Sequence, residues 1–144
     1  MSNWCRGVMK IMGKKENLKK FLLEGLSAMG KGEIQIDDNE RCLTLKSADG
    51  FYIKETIDLV RCDAIIFDYP DDEDKISTIK LEDYNALGYV DADKLCRLSK
   101  EYGIGFKVYA SEYMLNFIQD IVILEGNIIR NNCIEPDEPL LNMN

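Results

Sequence analysis

Histidine is absent from all 144 residues of the chain. Its absence removes the commonest general base and the commonest zinc ligand together. Ser–His and Cys–His nucleophile pairs are excluded with it, and so are histidine-containing zinc sites. A carboxylate-only magnesium or calcium site and a non-histidine acid–base pair survive. No apolar run approaches the roughly 18 residues that a membrane span needs, so no membrane contact is expected. The opening MSNWCRGVMKIMGKK has no basic start, apolar middle and small-residue cleavage site of the kind a signal peptide carries. Gly30-Lys31-Gly32 lacks the G-x-x-x-x-G-K-[ST] frame of a phosphate-cradling loop. No cofactor is expected from these residues.

Five cysteines (Cys5, Cys42, Cys62, Cys96 and Cys133) are spread widely, odd in number and free of any C-x-x-C pair. They read as reduced thiols in a cytoplasm rather than as a disulfide framework. Each is expected to pack as a small buried hydrophobe. Trp4, the one tryptophan, reads as a buried anchor, because the indole brings a large apolar area and a single donor.

Charge is present in quantity and unevenly placed. The net charge is −8. Residues 1–31 carry seven Lys/Arg against two Asp/Glu, a net +5, while residues 32–144 carry eleven against twenty-four, a net −13. A chain of this sign repels nucleic acid as a whole, so direct nucleic-acid binding is not expected. An anionic surface serves solubility and attracts basic partners, including the nucleic-acid-binding faces of other proteins.

The hydrophobic pattern predicts one α+β domain over residues 1–135. Trp4 to Met12 reads as a strand ending at Gly13. Leu18, Phe21, Leu22, Gly25, Leu26 and Met29 then recur at helical spacing, with Lys14, Lys15, Lys19 and Lys20 off the stripe, until the Met29-Gly-Lys-Gly32 stop. A meander follows: Ile34 and Ile36, a turn at Asp37-Asp38-Asn39, Leu43 and Leu45, a turn at Asp49-Gly50, and a short strand over 51–53. Ala64 to Phe67 and Ile76 to Leu81 read as further strands, and 82–90 carries no clear pattern. Asp91 reads as the N-cap of a second helix with Leu95, Leu98, Ser99 and Tyr102 inward and Gly103 at its end. Ile104 to Ala110 alternates as a strand with one buried face, and 111–118 is open between connection, helical turn and strand extension. Asp120 to Leu124 and Ile128 to Ile134 flank Gly126-Asn127, a Gly-first pair suited to a type II′ hairpin. Residues 136–144 read as a frayed acidic tail. Two helices on one face of a mainly antiparallel sheet would bury these stripes.

Asn3-Trp4-Cys5, the strand after it, Gly13 and a helix carrying Leu18 and Phe21 resemble the start of the Api-ninety-two-like phage proteins. Tyr102-Gly-Ile-Gly-Phe106, Glu112, Phe117 and Gly126 resemble a later stretch of the same family, so residues 2–26 and 95–130 are covered. Arg6-Gly7 depart from the family pattern, and the tail lacks its aromatic ending. The resemblance implies a ferredoxin-like sheet and a phage or mobile-element origin, and it carries over no catalytic residue.

The compositional extreme is Asp68-Tyr-Pro-Asp-Asp-Glu-Asp74, five acids in seven residues, read as a solvated loop. It lacks the spacing and glycine of an EF-hand, and no metal site is assigned. Residues 63–93 hold ten acids and two bases. Asp71, Asp72, Glu73, Asp74, Glu82 and Asp83 are accordingly the candidate contact residues for a host protein with a basic face, such as a nucleic-acid or defence enzyme. The ordinary reading is a solvated acidic surface. Lys14, Lys15, Lys19 and Lys20 form a basic helix face that could meet the acidic region of a second copy. Tyr102, Tyr109, Glu112 and Tyr113 cluster in sequence as a candidate pocket lining, with Glu112 by default an exposed loop carboxylate. The expected function is a non-enzymatic phage or mobile-element interaction protein. The alternative is a small-molecule or nucleotide-binding domain, with metal-dependent hydrolysis in reserve, and exposed strand edges leave room for a homo-oligomer.

Overall fold

In a computed structural model, which describes residues 3–140, the alternating N-terminal segment becomes strand β1 (Trp4–Gly13) and sits near the centre of a large antiparallel sheet. Helix α1 (Lys15–Glu24) follows with Leu18, Phe21 and Leu22 buried. It stops at Gly25, earlier than the stripe predicts. The Gly25 N–H donates to Phe21 O at 2.6 Å, and a side chain there would lie 2.6 Å from the Phe21 ring. Leu26 is buried as the stripe requires, but from a short strand, β2 (Leu26–Ala28).

The meander divides between two sheets. Strands β3 (Gln35–Asp38), β4 (Cys42–Lys46) and β7 (Ala64–Asp68) form a small sheet in the order β3-β4-β7. Gly50, at φ +104°, turns the chain out of it. Strands β5 (Phe51–Ile53) and β6 (Leu59–Val60) then join β2 in the large sheet, so Asp49-Gly50 is a turn between sheets and not a hairpin. Both Phe51 and Ile53 are fully buried there, which supplies the driving force for the crossing.

Strand β8 (Ser77–Leu87) pairs with β1 along its length, with an irregularity between Gly7 and Met9. Tyr84, Asn85 and Ala86 are buried in succession beyond it. That break in alternation is what makes 82–90 unreadable by periodicity. Asp91 caps helix α2 (Ala92–Tyr102), accepting from the Asp93 and Lys94 N–H groups. Gly103 closes the helix in the left-handed region at φ 66°. Strand β9 (Gly105–Glu112) pairs with the other edge of β1, and β10 (Phe117–Leu124) and β11 (Asn127–Ile134) extend the sheet as a hairpin. Its turn is Glu125-Gly126, with φ 52° and 72°. Two positive φ values define type I′ rather than the expected II′ turn at Gly126-Asn127.

The large sheet has the order β11-β10-β9-β1-β8-β6-β5-β2. Phe21 of α1 meets Tyr102 of α2 and Phe106 of β9 edge-on, at 5.4 and 5.9 Å between centroids. The small sheet's Leu43, Leu45, Ile65 and Phe67 join the same core. This architecture overturns the ferredoxin-like expectation. Among the described residues an eight-stranded sheet and a separate three-stranded one dominate, with two short helices, and the fold is mostly antiparallel β. Periodicity registers strands but not the sheet each one joins, and the meander expected over Ile34, Ile36, Leu43, Leu45 and residues 51–53 is split between the two sheets. Beyond β11, Asn116 holds the chain end by donating to Pro136 O at 3.3 Å and accepting from the Leu140 N–H at 2.7 Å. Residues 141–144 of the expected tail lie outside the described residues. No described helix is long and apolar enough to cross a membrane.

Candidate functional site: the open face of the large sheet

Side chains alternate across a strand, so the buried Met9 and Ile11 of β1 leave Arg6, Val8 and Lys10 on the opposite face. On β9 the buried set is Phe106, Val108 and Ala110, which places Lys107 and Tyr109 on that opposite face too. Register then decides what meets. Lys10 lies directly opposite Lys107 on one side and opposite Lys80 of β8 on the other. Val122 of β10 faces Lys107, and Arg130 of β11 faces Val122. The result is one row across five strands: Arg130, Val122, Lys107, Lys10, Lys80.

A shallow trough of about 350 Å³ runs over this row, with Val8, Tyr109 and Asp120 beside it. Two of its cations are compensated: Arg130 bonds Asp120 at 3.0 Å, and Lys80 reaches Glu82 at 3.3 Å. Lys10 and Lys107 form no ion pair among the described residues, nor does Arg6 on the same face. Tyr109, 55% exposed, stands two residues along β9 from Lys107. Cation, apolar floor and accessible ring therefore lie within one trough. Pairing alone revealed it, because Lys10, Lys80 and Lys107 are far apart in a sequence whose overall charge is negative.

The six acids expected to form a contact surface do not converge. Asp71, Asp72, Glu73 and Asp74 occupy the exposed turn between β7 and β8. Lys14 approaches Asp74 at 3.8 Å and Lys15 approaches Glu73 at 3.9 Å. The basic helix face thus turns toward the loop of its own chain. Lys19 adds a 2.8 Å bond to Asp38, which with Tyr69 holds that carboxyl below its ordinary range. Glu82 and Asp83 lie along β8, about 16 and 20 Å from its start at about 3.3 Å per residue. Glu82 is engaged by Lys80, and the Asp83 side chain accepts from Asn85.

Tyr102, Tyr109, Glu112 and Tyr113 do not make one pocket. Tyr102 packs in the core, Tyr109 faces the trough, and Glu112 is 2% exposed rather than a solvated loop acid. Its two carboxylate oxygens accept the Met114 and Leu115 N–H groups at 2.9 and 2.5 Å, which fixes the β9–β10 turn. Trp4 is half-buried. Cys5 is the fully buried cysteine, and Cys133 is exposed. Burial, reinforced by Glu112, pushes the Cys5 thiol up to about 12. It is therefore protonated at neutral pH and no nucleophile.

A second buried group is Asp58, 4% exposed, which accepts from the Tyr84 hydroxyl at 2.5 Å. Burial raises its carboxyl to about 6. Neither Asp58 nor Tyr84 lines the trough or the surface pockets beside Met29 and Asp63, Cys62 and Asp83, Met12 and Glu125, or Leu22 and Leu45. No group of three or more potential metal ligands occurs among the described residues. No family model, curated protein or solved structure matches the chain.

Proposed function

We propose that the protein is a non-enzymatic binding module, and that the open face of its large sheet takes a phosphate-bearing ligand of nucleotide size. The observation that carries this is the lysine row. Lys107, Lys10 and Lys80 stand opposite one another on three adjacent strands. Like charges in direct cross-strand register are destabilising. An anion bridging Lys10 and Lys107 would turn that repulsion into two charge-assisted contacts. Tyr109 supplies a face on which a base can stack, and the trough is at the small end of ligand-site volumes.

Calorimetric titration with pyrophosphate, AMP and ATP tests the reading. Binding is expected to weaken about 10- to 100-fold in either a Lys10→Gln or a Lys107→Gln variant, since one charge-assisted hydrogen bond contributes about 1.5–3 kcal/mol. Affinity that is absent, or unchanged by both substitutions, would refute it.

A second reading keeps the acidic loop as the contact for a basic host protein, in line with the phage or mobile-element origin that the sequence resemblance implies. Its support is local. Asp71 and Asp72 are exposed and make no ion pair among the described residues, and the lysine contacts to Glu73 and Asp74 are long and largely solvated.

A further inference from the structure

Strand β11 ends the large sheet on one side, and among the described residues nothing pairs with its outer edge. All eight of its residues are exposed. Ile128, Ile129 and Ile134 are 39%, 61% and 45% exposed. Native edges are usually blunted by shortness, by lysine or proline, or by acids. The opposite edge, β2, has three residues, and the small sheet's β3 ends in Asp37-Asp38. In β11 the protection is confined to a bulge beside the hairpin turn, where Ile129 has no partner on β10 between the Val122–Arg130 and Ile123–Ile128 pairs. The run from Arg130 to Ile134 is regular, and its one charge, Arg130, is already bonded to Asp120. The described chain beyond it, through Leu140, does not double back over the edge, because Pro136 and Leu140 are tied to Asn116 at the β9–β10 turn.

The sequence of this edge is self-complementary. An antiparallel pair about a two-fold axis at Asn131 sets Arg130 opposite Asn132 and Ile129 opposite Cys133. Ile129, left unpartnered on β10, then meets the apolar Cys133, and the one cation meets an amide. No like charges face each other, which an arbitrary partner strand would not guarantee. We infer that β11 is a self-association edge: a second copy of this chain adds its own β11 antiparallel, joining the two large sheets across a two-fold axis at Asn131.

Light scattering on the full chain across the micromolar to millimolar range tests the inference. The account expects a species of twice the 16.5 kDa chain mass that dissociates on dilution. Ile129→Lys should abolish it while leaving the circular dichroism and melting midpoint of the monomer unchanged, since Ile129 is 61% exposed. Ile129→Cys gives a geometric check. Directly opposed residues in an antiparallel pair have Cα atoms about 4.5–5.5 Å apart, within disulfide reach. Mild oxidation of that variant should therefore link position 129 to Cys133 of the second copy. A monomer at every concentration, a dimer that persists in Ile129→Lys, or a failure of the cross-link would each overturn the inference. A monomer whose β11 accepts a strand from a different protein would overturn it too.

Discussion

Asp58 gives the sharpest link between this structure and a solution measurement. Its carboxyl is 4% exposed and bonded to Tyr84, and burial raises it from 3.8 to about 6 against the smaller opposing effect of the tyrosine hydroxyl. Asp91 pushes it further up, and Lys94 pulls it down. A raised carboxyl binds its proton more tightly in the folded chain than in the unfolded one. Folding is therefore unpenalised below about pH 4 and loses stability as pH rises toward 6, after which the loss is complete. The full loss is about 3 kcal/mol, at 1.36 kcal/mol for each pH unit of difference. Between pH 5 and pH 8, where the unfolded group has already begun to ionise, the remaining loss is about 1.4 kcal/mol. Asp58→Asn keeps an oxygen for the Tyr84 hydroxyl and removes the charge. Urea unfolding of both proteins should show the variant gaining about 1.4 kcal/mol relative to wild type on going from pH 5 to pH 8. Other carboxylates titrate alike in the two proteins and cancel in the difference. A wild-type-to-variant difference that stays constant across this range would refute a buried, raised Asp58.

The turn held by Glu112 should be similarly sensitive. Glu112→Ala strips acceptors from the Met114 and Leu115 N–H groups and is expected to cost about 2–4 kcal/mol in urea unfolding, with Glu112→Gln losing about half as much. A cost under about 0.5 kcal/mol for the alanine variant would contradict the assigned role. For the acidic loop, neutralising Asp71, Asp72, Glu73 and Asp74 together to Asn or Gln should leave nucleotide affinity within about twofold, because exposed charges beyond a Debye length of about 8 Å are screened. A host protein retained from lysate by wild type at low salt, and lost both at high salt and in that loop variant, would instead establish the second reading.

Much of the secondary structure was legible because it is local. β1, the α2 cap at Asp91, the Gly103 stop and the alternation of β9 each follow from a few neighbouring residues, and the structure places them there. The end of α1 was not, since Leu26 and Met29 extend a helical stripe that Gly25 cuts short. Sheet membership was out of reach for a different reason. Leu43 and Phe51 look equally strand-like, and only three-dimensional packing assigns them to different sheets. The same limit hid the lysine row. Lys10, Lys80 and Lys107 become neighbours through register, a long-range property. The six candidate acids, by contrast, stand out in composition but divide between the β7–β8 turn (Asp71–Asp74) and strand β8 (Glu82, Asp83). Glu112 reads as a loop acid in sequence because nothing nearby announces that two backbone N–H groups will turn onto it.

Mapping a nucleotide titration onto assigned amide resonances of the uniformly ¹⁵N-labelled protein tests the binding face most directly. The account expects saturable shifts centred on Lys10, Lys80, Lys107, Tyr109 and Val122, the lining of the trough. Shifts centred on residues 71–74 or on the α1 lysines, or no shifts under saturating nucleotide, would contradict it.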